Sequence, residues 1–190
     1  KAYDIRGIYP DQLNEENIVH IIQAIHKFFS NKLNKDQLSI VLAYDMRLSG
    51  PQLFEASKKT LVEMGANVID CGQLSTPSFY YVAANYGYDC GIQITASHNP
   101  KEYNGLKFVI NTPHGLIKIG GSTGMPQIKD MAIAGVDVVA SQPGTITKKE
   151  NILEEEVENI RRLFNDPRIK QFKIVADPAN AMGAQYIEAL

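Results

Sequence analysis

The chain has 190 residues, of which 44% are hydrophobic and 21% charged, and its formal net charge is -2. This composition is typical of a globular protein, and the small net charge gives no reason to expect nucleic acid or an anionic membrane as a partner. No apolar run approaches the length of a membrane span, and residues 1–30 lack a secretory signal pattern, so we expect a cytoplasmic protein.

The first half of the chain alternates between strand and helix patterns. In chain order, we predict an irregular lead-in or edge strand over 3–10, a helix over 14–30, a buried strand over 39–44, a helix over 50–65, a strand over 67–71, a helix over 76–86 and a strand over 89–95. Asn14 is placed to cap the first helix, and Pro51 stands at an early position that helices tolerate. This alternation predicts a doubly wound α/β domain.

The second half carries weaker patterns. The glycine-rich segment 113–126 favours turns, and its spacing does not match a phosphate-binding P-loop. We predict helices over 128–134, 152–164 and 182–190, a strand over 173–178, and a boundary that separates a domain over 1–147 from the start of a second one over 148–190. A single strand-helix unit cannot bury its own faces, so this last part must dock elsewhere or be poorly ordered.

A polar loop follows the strand predicted over 89–95. It places a hydroxyl, an imidazole and an amide side by side over residues 97–99, and reactive side chains are often displayed on a loop carried by a rigid strand. Behind the loop, Leu106 and Phe108 alternate with Lys107, which predicts a strand that turns Lys107 to the opposite face. A hydrolase triad is a poor interpretation, because G-x-S-x-G is missing and adjacent residues rarely face each other as nucleophile and base.

Three cations are candidates for an anion site near this loop. Arg47 follows the strand predicted over 39–44, at the sheet edge where ligands collect in α/β proteins. The guanidinium of Arg6 is well suited to a phosphate, and the predicted strands bring Arg6, Arg47 and Lys107 towards one edge. Taken one at a time, these side chains also fit surface ion pairs or turns.

Four motifs, in the same order along the chain, resemble one enzyme family. Residues 95–100, T-A-S-H-N-P, resemble the phosphoserine loop of the α-D-phosphohexomutases, the family of phosphomannomutase and phosphoglucomutase. Residues 1–7 resemble the family's opening motif, 45–50 its second-strand turn and 104–108 its lysine strand. The resemblance implies a three-layer αβα domain with a mixed, mostly parallel sheet, followed by an incomplete second α/β domain.

The resemblance also implies a reaction, in which a phosphoryl group moves between O1 and O6 of a hexose phosphate through phosphorylated Ser97 and a hexose 1,6-bisphosphate. The implied catalytic residues are Ser97, Lys107, Arg6 and His98, and the implied substrate-binding residues are Tyr3, Arg47 and Asn104. Lys107 would be the general acid or base. A phosphoryl oxygen on Ser97 would be one ligand of Mg²⁺.

One part of the family's pattern is missing from this sequence. The D-G-D-x-D-R loop that would supply the other Mg²⁺ ligands is not found, and Asp177 is not followed by further Asp residues at alternate positions. Because the family recognises its sugar in later domains, we expect a fragment that is inactive alone, whose natural chain starts before Lys1 and includes the remaining domains. The sequence does not choose between mannose and glucose. Two alternatives stay open: a phosphoserine-using sugar phosphatase, and a non-catalytic binding or assembly module.

Overall fold

The computed structural model describes residues 4–137, 140–165, 168 and 170–189. Its strands are β1 Ile5–Ile8, β2 Ser39–Tyr44, β3 Asn67–Gln73, β4 Cys90–Ile94, β5 Tyr103–Thr112, β6 Gly115–Lys118 and β7 Ile146–Lys148. Its helices are α1 Glu15–Leu33, α2 Gly50–Glu63, α3 Thr76–Asn85, α4 Met125–Ala134, α5 Ile152–Leu163 and α6 Gly183–Ala189. None of these described helices combines the length and hydrophobicity that crossing a membrane requires.

The strands form one mixed sheet. Its order is β1-β5-β4-β2-β3-β7, with β6 paired to β5. The pairs β4–β2, β2–β3 and β3–β7 are parallel. In contrast, β5 is antiparallel to β1, β4 and β6. All the strands except β5 therefore point the same way, which confirms the mixed, mostly parallel sheet. Tyr44 and Ile94 pair at the carboxyl ends of β2 and β4, so the loops after both strands leave at the same edge.

Helices cover both faces of this sheet, which confirms the three-layer α/β architecture. On one face, α1, α2 and α4 pack over a core that includes Phe29, Leu42 and Phe108. On the other face, α3 and α5 pack over a second buried cluster that includes Phe79 and Val109. Phe108 and Val109 belong to different clusters because successive residues of a strand point to opposite faces.

The first helix begins where the sequence predicts and runs three residues beyond the predicted end. The Asn14 side chain accepts hydrogen bonds from the backbone N–H groups of Glu16 and Asn17, and the Asn17 side chain accepts one from the Asn14 N–H. This reciprocal capping box satisfies N–H groups that the first turn leaves without helical partners. It fixes the start of α1, which covers the sheet opposite α3.

The strand predicted over 173–178 is wrong. Residues 170–178 have neither helix nor strand structure, and Ile174 and Val175 are exposed. A strand needs a neighbour that accepts and donates its backbone hydrogen bonds, and no described strand pairs with this segment. The helix predicted after it does form, as α6.

Two short strands lie where none is predicted. One is β6, inside the glycine-rich segment 113–126, and the other is β7, which pairs in parallel with β3. β7 crosses the boundary predicted at residue 147, and α5 beyond it packs against α3. The division of the chain into two domains stays a prediction.

Candidate functional site

The serine loop, residues 95–102, joins β4 to β5 at the sheet edge where β2 also ends. Ser97 is half-buried and has a left-handed backbone with a φ of +57°. This conformation costs a non-glycine residue about 1 kcal/mol or more, and it is held by a hydrogen bond from the Ser97 N–H to Thr95 Oγ1 at 2.9 Å. Strained residues of this kind concentrate at functional sites.

Arg47 binds the backbone of the serine loop. It is only 8% exposed. Its Nη1 donates to the carbonyls of Pro100 and Tyr103 at 2.8 and 2.9 Å. Its Nη2 donates to the carbonyls of Ser97 and Asn99, both at 2.8 Å. Three of the four acceptors belong to the loop, and the fourth, Tyr103, is the first residue of β5. One buried guanidinium therefore fixes the path of the chain around Ser97.

Asp45 orients Arg47 and the start of the loop. Its Oδ1 accepts the Arg47 N–H at 3.1 Å, and its Oδ2 accepts the Thr95 hydroxyl at 2.6 Å. The Arg47 Nε lies 3.4 Å from Oδ2 in an ion pair without hydrogen-bond geometry, and it is buried with no other hydrogen-bond partner among the described residues. The contact is therefore electrostatic. Asp45 thus connects the guanidinium to the same threonine that holds the Ser97 N–H.

The start of β5 depends on a very close backbone approach to β1. Asn104 is completely buried, where it donates to Ser49 Oγ and accepts the N–H of Gly105, both at 2.9 Å. A Cβ atom at position 105 would lie 2.1 Å from the carbonyl oxygen of Ile5, so only glycine fits here. Any side chain at this position would displace β1, which carries Arg6.

A cationic cluster is formed by side chains on and just before β1 and on β5, next to the serine loop. The Asp4 carboxylate accepts hydrogen bonds from Arg6 at 2.6 and 3.0 Å and from Lys107 Nζ at 3.2 Å. Arg6 also donates through Nη1 to the side chain of Asn99 in the serine loop. Two cations against one carboxylate leave a net positive charge beside the loop.

Asp4 is the shared partner in this cluster and is only 4% exposed. Burial alone would raise its pKa, but the hydrogen bonds and charges of Arg6 and Lys107 outweigh burial and hold the pKa below its ordinary value. Asp4 is therefore ionised at neutral pH. The ionised carboxylate therefore holds both cations through charge-assisted hydrogen bonds.

The Ser97 hydroxyl contacts the neighbouring imidazole. Ser97 Oγ and His98 Nδ1 are 3.0 Å apart. Ser97 and His98 are thus an exception to the rule that adjacent residues rarely face each other. The left-handed backbone of Ser97 turns the chain sharply, so that both side chains project on the same side.

The structure brings most of the predicted site residues together. Ser97 and His98 contact each other, Arg6 reaches the loop through Asn99, and Lys107 joins Arg6 at Asp4. Arg47 and Asn104 lie in the same region but use their hydrogen bonds to shape the loop, so substrate contact by either stays a prediction. Tyr3 lies outside the described residues.

Three residues of the site are not among the predictions: Asp4, Asp45 and Thr95. Each of them connects predicted site residues rather than facing the solvent. A signal did exist in the sequence, because Asp4 and Asp45 each stand two residues before a predicted arginine.

The described residues do not form a metal site by themselves. They contain no group of three or more histidine, cysteine or acidic side chains that could bind one ion. The carboxylates of Asp4 and Asp45 are already bound, Asp4 by two cations and Asp45 by Thr95 and Arg47. Mg²⁺ prefers one or two free carboxylates together with phosphate oxygens, and neither Asp4 nor Asp45 is free.

Comparison with known sequences gives consistent matches. Residues 1–133 match the model of the phosphoglucomutase/phosphomannomutase alpha/beta/alpha domain I. The whole chain is 33% identical to a phosphomannomutase from Vibrio cholerae and covers 40% of that protein. It is 34% identical to a phosphomannomutase/phosphoglucomutase from Pseudomonas syringae pv. tomato, of which it covers 39%. The chain thus spans about two fifths of these relatives.

Comparison with solved structures agrees. A crystal structure of a phosphoglucomutase/phosphomannomutase family protein from Burkholderia thailandensis superposes with a TM-score of 0.70. The two share 27% sequence identity, and the match covers 90% of this chain and 36% of the other. Both the sequence and the fold therefore match the first part of longer proteins.

Proposed function

Because this chain belongs to the phosphoglucomutase/phosphomannomutase family, we propose that it is the phosphoserine-bearing part of a phosphohexomutase. The reaction moves a phosphoryl group between O1 and O6 of a hexose phosphate, through phosphorylated Ser97 and a hexose 1,6-bisphosphate. One observation carries the proposal: the Ser97 hydroxyl stands on a strained loop that Arg47 fixes, at the sheet edge that also holds Arg6 and Lys107.

The transfer from Ser97 needs one bond to break and one to form. The phosphorus–Oγ bond breaks, a bond from phosphorus to a sugar hydroxyl oxygen forms, and the proton of that hydroxyl passes to a base. Ser97 Oγ must take up a proton as it leaves or share one with a neighbour. His98 Nδ1, 3.0 Å away, and Lys107 are the groups that we propose for these proton transfers.

Charge neutralisation is the second task of the site. A phosphoserine carries nearly two negative charges at neutral pH, and phosphoryl transfer depends mainly on positioning and on neutralising charge. The cluster of Asp4, Arg6 and Lys107 has one net positive charge next to the loop, and Asp4 prevents the two cations from repelling each other apart. Arg6 also donates a hydrogen bond to Asn99, so its positive charge lies close to Ser97.

Mg²⁺ and the rest of the protein complete the proposal. A phosphoryl oxygen on Ser97 would hold Mg²⁺, which would add positive charge there, and its other ligands would come from outside the described residues. Because the chain spans about two fifths of its relatives, we propose that sugar selection lies in the remaining part. The 190 residues alone should then show no mutase turnover, and the active protein should be cytoplasmic.

Intact-protein mass spectrometry tests the proposal. The full-length protein that carries these residues is incubated with glucose 1,6-bisphosphate and should gain one phosphoryl group. The Ser97→Ala variant should not gain it, whereas the control Ser141→Ala, at an exposed position far along the chain, should. The absence of any phosphoryl group on the unaltered protein would contradict the proposal and favour a non-catalytic binding or assembly module.

A product assay separates the mutase from the sugar phosphatase. Given glucose 1-phosphate or mannose 1-phosphate, a mutase forms the 6-phosphate and releases little inorganic phosphate. If water replaces the sugar as acceptor, inorganic phosphate accumulates without isomerisation. The second result, with Ser97 still phosphorylated, would replace the mutase proposal by the phosphatase.

A further inference from the structure

Asp4 binds both cations of the cluster through a single oxygen. Its Oδ2 accepts hydrogen bonds from Arg6 Nη2 at 2.6 Å, from Arg6 Nε at 3.0 Å and from Lys107 Nζ at 3.2 Å. Nitrogens that share one oxygen at such distances lie within about 6 Å of each other, where each positive charge disfavours the other. Asp4 therefore stands between two cations that oppose each other.

The two cations differ in how they can respond to this repulsion. An arginine keeps its proton in proteins, whereas a lysine ammonium group can lose one and become neutral. Any unfavourable positive charge in the cluster is therefore relieved at Lys107 and not at Arg6. It follows that the protonation of Lys107 depends on the carboxylate that offsets the charge of Arg6.

The other groups around Lys107 do not replace this carboxylate. Lys118 and Tyr80 line the same cleft as Lys107, and the residue opposite Lys107 on β4 is the neutral Gln93. Lys118 is a further cation. The Tyr80 hydroxyl is neutral at physiological pH, because burial and the charge of Asp4 raise its pKa. Among the described residues, the ion pair that Lys107 forms is with Asp4.

The serine loop supplies no substitute for Asp4 either. Its charged or titratable side chains are those of His98, Lys101 and Glu102, and none of them forms an ion pair with Lys107 in the part of the chain that the structure describes. Because Asp4 is only 4% exposed, solvent screens its charge weakly. Its carboxylate is thus the group that favours the charged form of Lys107.

We propose that Asp4 is a positioning residue that keeps Lys107 protonated and in place beside the serine loop. Asp4 would then do more than hold two cations together, because it would determine which form of Lys107 enters the reaction. The connection to proton transfer rests on the proposed function. The effect of Asp4 on Lys107 does not, because it follows from the charges in the cluster.

Trace acylation of lysines tests the proposal on the full-length protein. Only the neutral amine of a lysine attacks acetic anhydride, so the acylation rate, read by peptide mass spectrometry, reports the neutral fraction. Asp4→Asn keeps the shape of the side chain and removes its charge. In this variant Lys107 should be acylated about tenfold faster at about pH 8, relative to the exposed Lys59 in the same sample.

Arg6→Gln should change the rate in the opposite direction. Without the neighbouring cation, Asp4 acts on Lys107 alone, so the neutral amine is disfavoured and its acylation should slow by about threefold. A loosened site would instead expose Lys107 and accelerate its acylation in both variants. Acceleration in both, or an unchanged rate in Asp4→Asn, would overturn the proposal.

Asp89→Asn is the matched control. Asp89 also binds a lysine, Lys35, at 2.7 Å, but it precedes β4 and so lies at the opposite edge of the sheet from the serine loop. Its replacement should leave the acylation rate of Lys107 unchanged. An acceleration equal to that in Asp4→Asn would overturn the proposal. Asp4→Glu keeps the negative charge and should bring the rate back towards that of the unaltered protein.

The pH dependence of kcat/KM gives the catalytic readout. Without the Asp4 charge Lys107 loses its proton at lower pH, so the limb of the profile that Lys107 sets should move to lower pH by about one pH unit. The direction is the same whether Lys107 acts as acid or as base. A purely structural role would lower kcat/KM at every pH without moving either limb, and that result would overturn the proposal.

Acylation does not require turnover, so this inference and the proposed function can fail separately. If Ser97 is never phosphorylated but Lys107 reacts faster in Asp4→Asn, the mutase proposal fails and the effect of Asp4 on Lys107 stands. If Ser97 is phosphorylated and the reactivity of Lys107 is the same with and without the Asp4 carboxylate, only this inference is overturned.

Discussion

Two of the segments without helix or strand structure differ sharply, the serine loop of residues 95–102 and the C-terminal segment of residues 170–182. In the serine loop, one buried arginine binds carbonyl groups from end to end, and side chains of Asp45 and Thr95 hold its start. The C-terminal segment, described throughout, has no buried residue, and Phe172, Ile174 and Val175 are exposed. Irregular backbone is therefore not the same as loosely held backbone.

The difference comes from where the partners of each segment lie. The serine loop follows β4 beside the end of β2, so the residues after β2 are delivered next to it by the parallel pairing of the two strands. The C-terminal segment is followed by α6, which packs against α5 and forms hydrogen bonds to the rest of the protein through Tyr186. That hydroxyl contacts Ser75, Ser78 and Glu156. One segment is fixed by the sheet, whereas the other precedes a helix that packs against α5 at the edge of the fold.

The largest effect is expected when Arg47 is replaced by methionine. The variant loses four hydrogen bonds to loop carbonyls and leaves the buried Asp45 carboxylate without its cation. Removing one partner of a buried ion pair costs about 3 to 5 kcal/mol, so the free energy of unfolding in urea should fall by that amount. Arg162→Met on the exposed face of α5 is the control. If the free energy of unfolding fell by less than about 1 kcal/mol, the serine loop would keep its conformation without Arg47.

Acid should destabilise the body of the domain and leave the C-terminal segment unaffected. His26 is buried in α1, and burial, with a smaller effect of the Lys27 charge, lowers its pKa from 6.5 to about 4. Between pH 6.5 and 4 the imidazole binds a proton in the unfolded chain but not in the folded protein. Protonation therefore favours the unfolded chain, so the free energy of unfolding is highest above pH 6.5 and falls as the pH is lowered towards 4. The full difference amounts to about 3 kcal/mol.

Urea unfolding between pH 7 and pH 4 measures this effect. His26→Leu should flatten the pH dependence, because it removes the group that titrates. The substitution leaves no polar group without a partner, since the buried Nε2 has no hydrogen-bond partner among the described residues. His20→Gln, at an exposed position of the same helix, should leave it unchanged. An equally steep dependence in His26→Leu would assign the acid sensitivity to other groups.

The same contrast explains what the sequence could predict. Residues 14–30 carry a helical hydrophobic period and residues 39–44 a continuous apolar run, so α1 and β2 are found from local pattern. β7 has three exposed residues and exists through its pairing with β3, which is distant in the chain. Residues 173–178 have the β-branched composition of a strand but no described neighbour. Local pattern identifies a candidate strand, and only a partner makes it one.

For the site, too, individual residues could be predicted from the sequence, whereas the contacts between them could not. Ser97 stands out because polar residues follow a buried strand, and Arg6 and Lys107 because they are cations on predicted strands. Asp4 joins these two cations only because the β1–β5 register places it next to Lys107. That register is a long-range property of the sheet, which a single sequence does not contain.

A smaller effect is expected at the contact that holds α6. Tyr186→Phe removes the hydroxyl that bonds to Ser75 and Glu156, worth about 1 kcal/mol. Because α6 is a peripheral element, amide exchange should accelerate about fivefold in α6 while the body of the domain is unchanged. Tyr88→Phe, after α3, is the control. Faster exchange throughout the sheet would show that α6 is part of the cooperative core.

The smallest effect is expected at Val175, which is 92% exposed. Val175→Ala should change the free energy of unfolding by less than about 0.5 kcal/mol, as is usual for surface positions. The same substitution at Val109, which is buried in β5 under α3, should cost about 1 to 3 kcal/mol. Urea unfolding of both variants compares identical chemistry in the two environments. A loss above about 1 kcal/mol at Val175 would mean that residues 173–178 pack against a partner in solution, as a strand would.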